Sequence, residues 1–140
     1  MPFKKAIANS ISVGVPGLYS MLADVHNING KLAWEILFTD AISYAKSFEV
    51  SPRLEKMLNW APHIKNDAYS RKIYFENNMP KKVGSIVNNI KLAKSLNLIS
   101  RNGYSINNGK IANLIQKSLL PNITKKDLTD WKAIKRRPLC

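Results

Sequence analysis

The sequence predicts a mainly α-helical protein with one small β-hairpin, and three observations lead to this class. Apolar residues recur at three- and four-residue steps in several segments, which is the period of an amphipathic helix. Glycine and proline separate these segments and so mark the turns between them. One Asn-Gly pair, Asn102-Gly103, lies between two short apolar runs and favours a hairpin. We therefore expect one compact domain over residues 1–140.

The helical N-terminal part of this domain is predicted to cover residues 1–48. Its strongest helix spans residues 31–48 and is apolar on several sides, with Trp34 and Phe38 on its main face. A helix of this kind is usually central to a domain or lies in a subunit interface. Core packing is the simpler interpretation, and a homodimer contact through this helix is the alternative.

The part from residue 50 to residue 120 begins with Ser51-Pro52, which predicts a helix start because a hydroxyl can cap and proline suits the first helical position. A helical stripe then covers residues 80–97, followed by the expected hairpin and a further helix near Ile111. The last part, 121–140, contains Thr124 followed by Asp127, a spacing that predicts a capping box, a short helix and a basic tail.

The order helix, hairpin with a basic tip, helix resembles the winged helix-turn-helix family of DNA-binding domains. Residues 96–106 read LNLISRNGYSI, a phrase common in that family where the recognition helix meets the wing. The resemblance covers residues 79–120. It implies that the helix over 80–97 reads the major groove and that the tip at 100–104 approaches the minor groove.

The distribution of charge supports the same interpretation. The net charge is +13, with 22 basic and nine acidic residues. Residues 77–126 hold nine basic side chains and no acidic one, whereas residues 1–76 hold nine basic and seven acidic. A surface without carboxylates suits contact with phosphates. A coding bias toward lysine explains many lysines but not the missing carboxylates.

Several side chains in this basic stretch have the chemistry of nucleic-acid contact. Amides can pair with adenine, and lysine or arginine can reach guanine or phosphate. The same residues also fit an ordinary solvated face. The candidates are Lys81, Lys82, Ser85, Asn88, Asn89, Lys91, Arg101 and Asn102.

Catalytic and metal chemistry find little support in the sequence. His26 and His63 have no cysteine or second histidine at ligand spacing. No glycine-rich phosphate loop or nucleophile elbow is present. We therefore expect no enzyme, no cofactor and no metal.

Cysteine usage and hydropathy suggest where the protein works. The single cysteine, Cys140, leaves no disulfide framework and favours a reducing, cytoplasmic setting. No apolar run approaches the length that spans a bilayer, so no membrane partner is expected.

The predicted function is that of a non-enzymatic protein that binds double-stranded DNA as a regulator of transcription or replication in a microbe or virus. One alternative is an RNA-binding or ribosome-associated protein, since A-form RNA is recognised largely by shape and backbone. The other is a basic protein-interaction module, such as an inhibitor of an acidic partner. The predicted core consists of Trp34, Leu37, Phe38, Ile86, Ile90 and Leu98.

Overall fold

The computed structural model describes residues 10–119 and 122–137, which form mostly short helices. Among these residues, four 3₁₀ segments precede or connect the α-helices, at Ser10–Ser12, Trp34–Phe38, Pro62–Asn66 and Gly103–Ile106. The expectation of a mainly helical protein is confirmed. The α-helices are α1 Leu18–Asn29, α2 Thr39–Lys46, α3 Pro52–Trp60, α4 Ala68–Tyr74, α5 Ile90–Arg101, α6 Lys110–Leu119 and α7 Lys125–Asp130.

Within the described ranges, four very short strands form two antiparallel pairs. Strand β1 (Phe48–Glu49) pairs with β4 (Ile86–Val87), and β2 (Phe75–Glu76) pairs with β3 (Met79–Pro80). The second pair is a hairpin whose turn residues, Asn77 and Asn78, have φ values of 49° and 62°. Asparagine tolerates this left-handed region better than most residues, which suits a tight hairpin turn.

The described residues form two compact units, one from residues 10–37 with 97–137 and one from residues 38–96. The first unit has a core of Ala112, Ile123 and Leu128. The second is built on a core of Val50, Ile73 and Val87. The expectation of a single domain, with parts at 1–48, 50–120 and 121–140, stays a prediction.

The prediction of a helix over residues 80–97 is wrong for the first half of that range, since α5 begins only at Ile90. Gly84 has a φ of 82° in a turn where Ser85 N donates to Lys82 O. Val87 lies in β4 opposite Phe48 and is fully buried there. The apolar stripe is thus divided between a strand and a helix, because Val87 pairs with Phe48, a residue distant in the sequence.

The hairpin predicted over residues 98–106 is also wrong. Leu98 to Arg101 complete α5, and Asn102 caps the following 3₁₀ segment, its Oδ1 accepting from Tyr104 N at 2.9 Å. Gly103 is buried, and a Cβ added there would lie 2.5 Å from the Ala23 Cβ. Glycine serves here to let two segments approach closely rather than to form a hairpin turn.

The helix predicted over residues 31–48 forms as two pieces, the 3₁₀ segment Trp34–Phe38 and then α2. A single long helix for a homodimer contact is therefore not present in this described segment. Of the predicted core, Phe38 is buried as expected, whereas Leu37, Ile86 and Ile90 are about half exposed. Trp34 and Leu98 are partly buried.

The predictions that depended on local capping are confirmed. Ser51 Oγ accepts from Leu54 N at 3.2 Å, with Pro52 at the first position of α3. Thr124 and Asp127 form the expected capping box at the start of α7. None of the helices formed by residues 10–119 and 122–137 is long and apolar enough to cross a membrane.

Candidate functional site

The first unit carries a polar cleft of about 450 Å³ between α1, the segment after α5 and the segment after α7. Its lining includes one carboxylate and one ammonium group among hydroxyl and amide side chains. A small zwitterionic molecule could pair its positive group with Asp24 and its negative group with Lys132. The lining residues are Ser20, Asp24, Tyr104, Asn107, Asn108, Thr129, Trp131, Lys132 and Ala133.

Helix α1 supplies one wall of the cleft through its small and polar residues. Ser20, Ala23, Asp24 and Asn27 recur at three- and four-residue steps and so share one face of the helix. Ser20 and Ala23 are buried. Their small side chains allow the segment 103–108 to lie close to α1.

Tyr104 connects the two walls of this cleft. Its hydroxyl donates to Asp24 Oδ1 at 2.6 Å and accepts from Asn27 Nδ2 at 3.2 Å. The hydrogen bond to Asp24 raises the pKa of Tyr104, because deprotonation would place a phenolate beside a carboxylate. Tyr104 therefore remains a protonated donor and does not act as a base near neutral pH.

Ser20 is the buried hydroxyl of the cleft, and its hydrogen bond serves structure. Its Oγ donates to Asn107 Oδ1, and Asn107 Nδ2 donates to Leu128 O at 3.0 Å. Both side chains are buried. An amide oxygen is too weak a base to activate a nucleophile, so this contact joins segments rather than preparing a reaction.

Thr124 has a hydroxyl that donates to a carboxylate, with its Oγ1 2.6 Å from Asp127 Oδ2. The same Asp127 oxygen accepts from Thr124 N at 2.8 Å, and Thr124 Oγ1 accepts from Asp127 N at 3.2 Å. The hydroxyl bond lowers the pKa of Asp127. A carboxylate of lowered pKa is a poor general base, so the pair acts as a helix cap.

The second unit brings three of the predicted nucleic-acid residues into one cleft of about 360 Å³, where Lys81, Asn88 and Lys91 lie with Lys72 and Tyr69. Lys91 Nζ lies 4.2 Å from the centre of the Tyr69 ring, a cation–π distance. Lys81 Nζ donates to a backbone carbonyl at 2.8 Å. The described lining holds no carboxylate, so its field favours an anion.

Lys82 and Ser85 lie outside the lining of this cleft. Lys82 forms an ion pair with Glu55 at 3.1 Å, and Val83 N donates to the same carboxylate at 3.0 Å. The Val83 bond, followed by the Lys82 bond, lowers the pKa of Glu55. Ser85 is half-buried in the adjoining turn.

Asn88 and Asn89 connect neighbouring segments instead of projecting from one helix. Asn88 Nδ2 donates to Lys46 O at 2.8 Å. Asn89 Oδ1 accepts from Leu92 N and from the Tyr69 hydroxyl, each at 3.0 Å, and so caps α5.

Arg101 and Asn102 belong to the first unit, where Arg101 is exposed at the end of α5. Individual contacts of the eight candidates with nucleic acid stay predictions. The recognition helix and the wing on which they were placed do not form.

His26 contributes to packing within the first unit. Its Nε2 lies 2.8 Å from Leu32 O, and its ring meets the Trp34 ring edge to face with centroids 5.2 Å apart. In the part of the chain that the structure describes, no three His, Cys, Asp or Glu side chains are grouped to hold a metal ion.

The polar cleft was missed by reasoning from the sequence. None of the eight residues predicted from the sequence lines this cleft, where Tyr104 meets Asp24. The two residues that meet there are 80 positions apart, so no local spacing could reveal the contact.

Comparison with known proteins identifies the fold. The sequence model of the gamma-glutamyltranspeptidase family matches residues 2–140. The capsule biosynthesis protein CapD proenzyme of Bacillus anthracis is 31% identical over 130 residues, covering 91% of this chain and 24% of the relative. Glutathione hydrolase 3 of Arabidopsis thaliana is 32% identical over 130 residues, covering 89% of this chain and 20% of the relative.

A solved structure agrees with the sequence relatives. The crystal structure of Helicobacter pylori gamma-glutamyltranspeptidase superposes with a TM-score of 0.78 at 27% identity, over 86% of this chain and 37% of that one. The chain thus spans between a fifth and a quarter of the length of the curated relatives described above.

These findings overturn the winged helix-turn-helix resemblance and the functions drawn from it. The relatives are enzymes of another fold. The predictions of DNA binding, of RNA binding and of an inhibitor are therefore corrected. The expectation of no enzyme and the expected DNA, RNA and homodimer partners are corrected for the same reason. Net positive charge predicted attraction to anions but carried no information about fold. This chain belongs to the gamma-glutamyltranspeptidase family.

Proposed function

We propose that this chain serves γ-glutamyl transfer or hydrolysis, and that it does so as a segment of the enzyme's framework. The observation that carries the proposal is the family match over residues 2–140, together with the TM-score of 0.78 to a gamma-glutamyltranspeptidase. One relative is named a glutathione hydrolase. The substrate class is accordingly a γ-glutamyl peptide such as glutathione.

The contacts of the hydroxyl groups support a framework role. Covalent catalysis needs a nucleophile within reach of a group that can take its proton. Ser20 donates to an amide, Thr124 is engaged in a helix cap, and Tyr104 donates to a carboxylate that raises its pKa. Within the described residues these hydroxyls are used for structure. We therefore assign the reacting groups to the further length of fold that the relatives possess.

The test is an assay of glutamate release from glutathione in two samples. The 140-residue chain alone, shown to be folded by circular dichroism, should release no glutamate above the buffer rate. The H. pylori enzyme with its matching segment replaced by residues 2–140 should release glutamate. Turnover by the isolated chain would place a nucleophile inside it and contradict the framework role.

A further inference from the structure

In the part of the chain that the structure describes, helix α1 has an apolar outer face that is exposed. Successive helical residues turn by about 100°, so Leu18, Leu22, Val25 and Ile28 share about one third of the circumference. Their exposed fractions are 60%, 40%, 48% and 72%. We call these four residues the outer face of α1.

The opposite side of α1 is occupied by small and polar residues. Ser20 and Ala23 are buried there, and Asp24 and Asn27 bond to the Tyr104 hydroxyl. A surface helix of a globular protein normally turns its apolar stripe toward the core. In α1 this arrangement is reversed, which is typical of a helix that packs against something on each side.

The composition of α1 bears on what covers this face. Helices that lie on membranes carry lysine or arginine on their polar side. Helix α1 reads LYSMLADVHNIN, which contains no lysine or arginine. Its single carboxylate is Asp24. A second copy of the chain would bring another net charge of +13 into contact, and that repulsion opposes association.

We propose that an uncharged, apolar helix or sheet face from the further length of the gamma-glutamyltranspeptidase fold packs on the outer face of α1. This inference depends on the framework role proposed above. The chain accounts for 37% of the H. pylori chain on which it superposes, so the larger part of that fold is available to cover α1. Burial of four aliphatic side chains would then hold the segment in the complete enzyme.

Thiol labelling tests the inference directly. Cys140 is the only cysteine, so Cys140→Ser provides a clean background for Val25→Cys. We expect rapid labelling in the 140-residue chain, and labelling slowed by about tenfold or more in the H. pylori chimera, since local opening must then come first. Each rate is normalised to the same sample in urea. Asn113→Cys, exposed on α6, is the reference for a freely accessible thiol in the chain alone.

Activity separates failure of this inference from failure of the proposed function. A Val25→Cys chimera that hydrolyses glutathione while its introduced thiol stays accessible would overturn the packing inference alone. Protection of that thiol in an inactive chimera would support the packing and count against the enzyme role.

Two further measurements use the isolated chain and its variants. If the isolated chain sediments as a dimer and Val25→Asp dissociates that dimer, a second copy is the occupant and the proposal is overturned. If the isolated chain binds anionic vesicles and Val25→Asp abolishes that binding, a membrane is the occupant and the proposal is overturned. The paired substitutions Leu22→Gln and Val25→Gln should leave the folding of the isolated chain unchanged, and a lower midpoint would show that this face serves the chain's own core.

Discussion

The Tyr104 hydroxyl donates a 2.6 Å hydrogen bond to Asp24 Oδ1, joining residues that lie 80 positions apart in the sequence. The bond fastens the 3₁₀ segment Gly103–Ile106 to helix α1. The adjacent Gly103 makes this approach possible, because any larger residue would meet Ala23. Contacts of this kind, rather than a wing, define the structure around residues 100–108.

Replacement of Tyr104 by phenylalanine should destabilise the first unit by about 1 kcal/mol, since one hydrogen bond to a carboxylate is lost at a partly solvated site. Urea unfolding followed by tryptophan fluorescence measures the change. An unchanged midpoint would show that the Tyr104–Asp24 contact contributes nothing to stability.

The pH dependence of the same variant has a definite sign. Because the pKa of Tyr104 is raised above its usual 10.0 in the folded state, its contribution is full below pH 10. It is lost as the pH rises through the folded value. The difference in stability between parent and Tyr104→Phe should therefore shrink above pH 10. A difference that grows with pH would contradict the donor role of the hydroxyl.

Asp127 gives the opposite pH dependence. Its pKa is lowered from the usual 3.8, chiefly by the Thr124 hydroxyl, so its contribution is present above pH 3.8 and is lost as the pH falls through the folded value. Asp127→Asn should lower the Tm at pH 7 and match the parent in strong acid. Equal Tm values at pH 7 would show that the carboxylate charge is not used by the cap.

Leu128 and Ile90 provide a matched test of the core. Leu128 is fully buried beside Ala112 and Ile123, whereas Ile90 is 48% exposed. Leu128→Ala should cost about 2–5 kcal/mol of unfolding free energy. Ile90→Ala should cost less than about 1 kcal/mol, as expected for a surface position. Denaturant midpoints in the reverse order would contradict the burial described for Leu128 and the exposure described for Ile90.

Gly17 tests the contact with Trp131. A Cβ added at Gly17 would lie 1.9 Å from Trp131 Cζ2, so alanine must displace the ring. We expect Gly17→Ala to cost about 1–3 kcal/mol, the usual range for overpacking. Gly14 is the control, since no atom beyond its two chain neighbours lies within 4 Å of an added Cβ. If the two alanine variants melt alike, Trp131 does not pack on Gly17.

Local chemistry made part of this fold predictable. The caps at Ser51 and Thr124 depend on neighbours within three residues, and both form as expected. The division of the predicted 80–97 helix could not be foreseen in this way, because it depends on the pairing of Val87 with Phe48, which lies 39 positions earlier in the sequence. Asn102-Gly103 fits several local structures, and the long-range contact with Ala23 decides among them.

The same distinction between local and long-range contacts applies to the candidate site. Lys81, Asn88 and Lys91 do lie together, since residues close in sequence often share a cleft. The Tyr104–Asp24 pair carries no local signal at all. Charge was the most misleading observation, because a net +13 predicts attraction to polyanions whatever the fold.

In the function that we propose, these residues form the framework of a γ-glutamyl enzyme and do not supply its reacting groups. The most direct measurement is the kcat for glutathione of the H. pylori chimera, with and without Tyr104→Phe, per folded molecule. We expect kcat to change by no more than about tenfold, or ~1.4 kcal/mol of activation free energy. A loss of about a thousandfold or more in a folded chimera, the size expected for a lost acid or base, would contradict it.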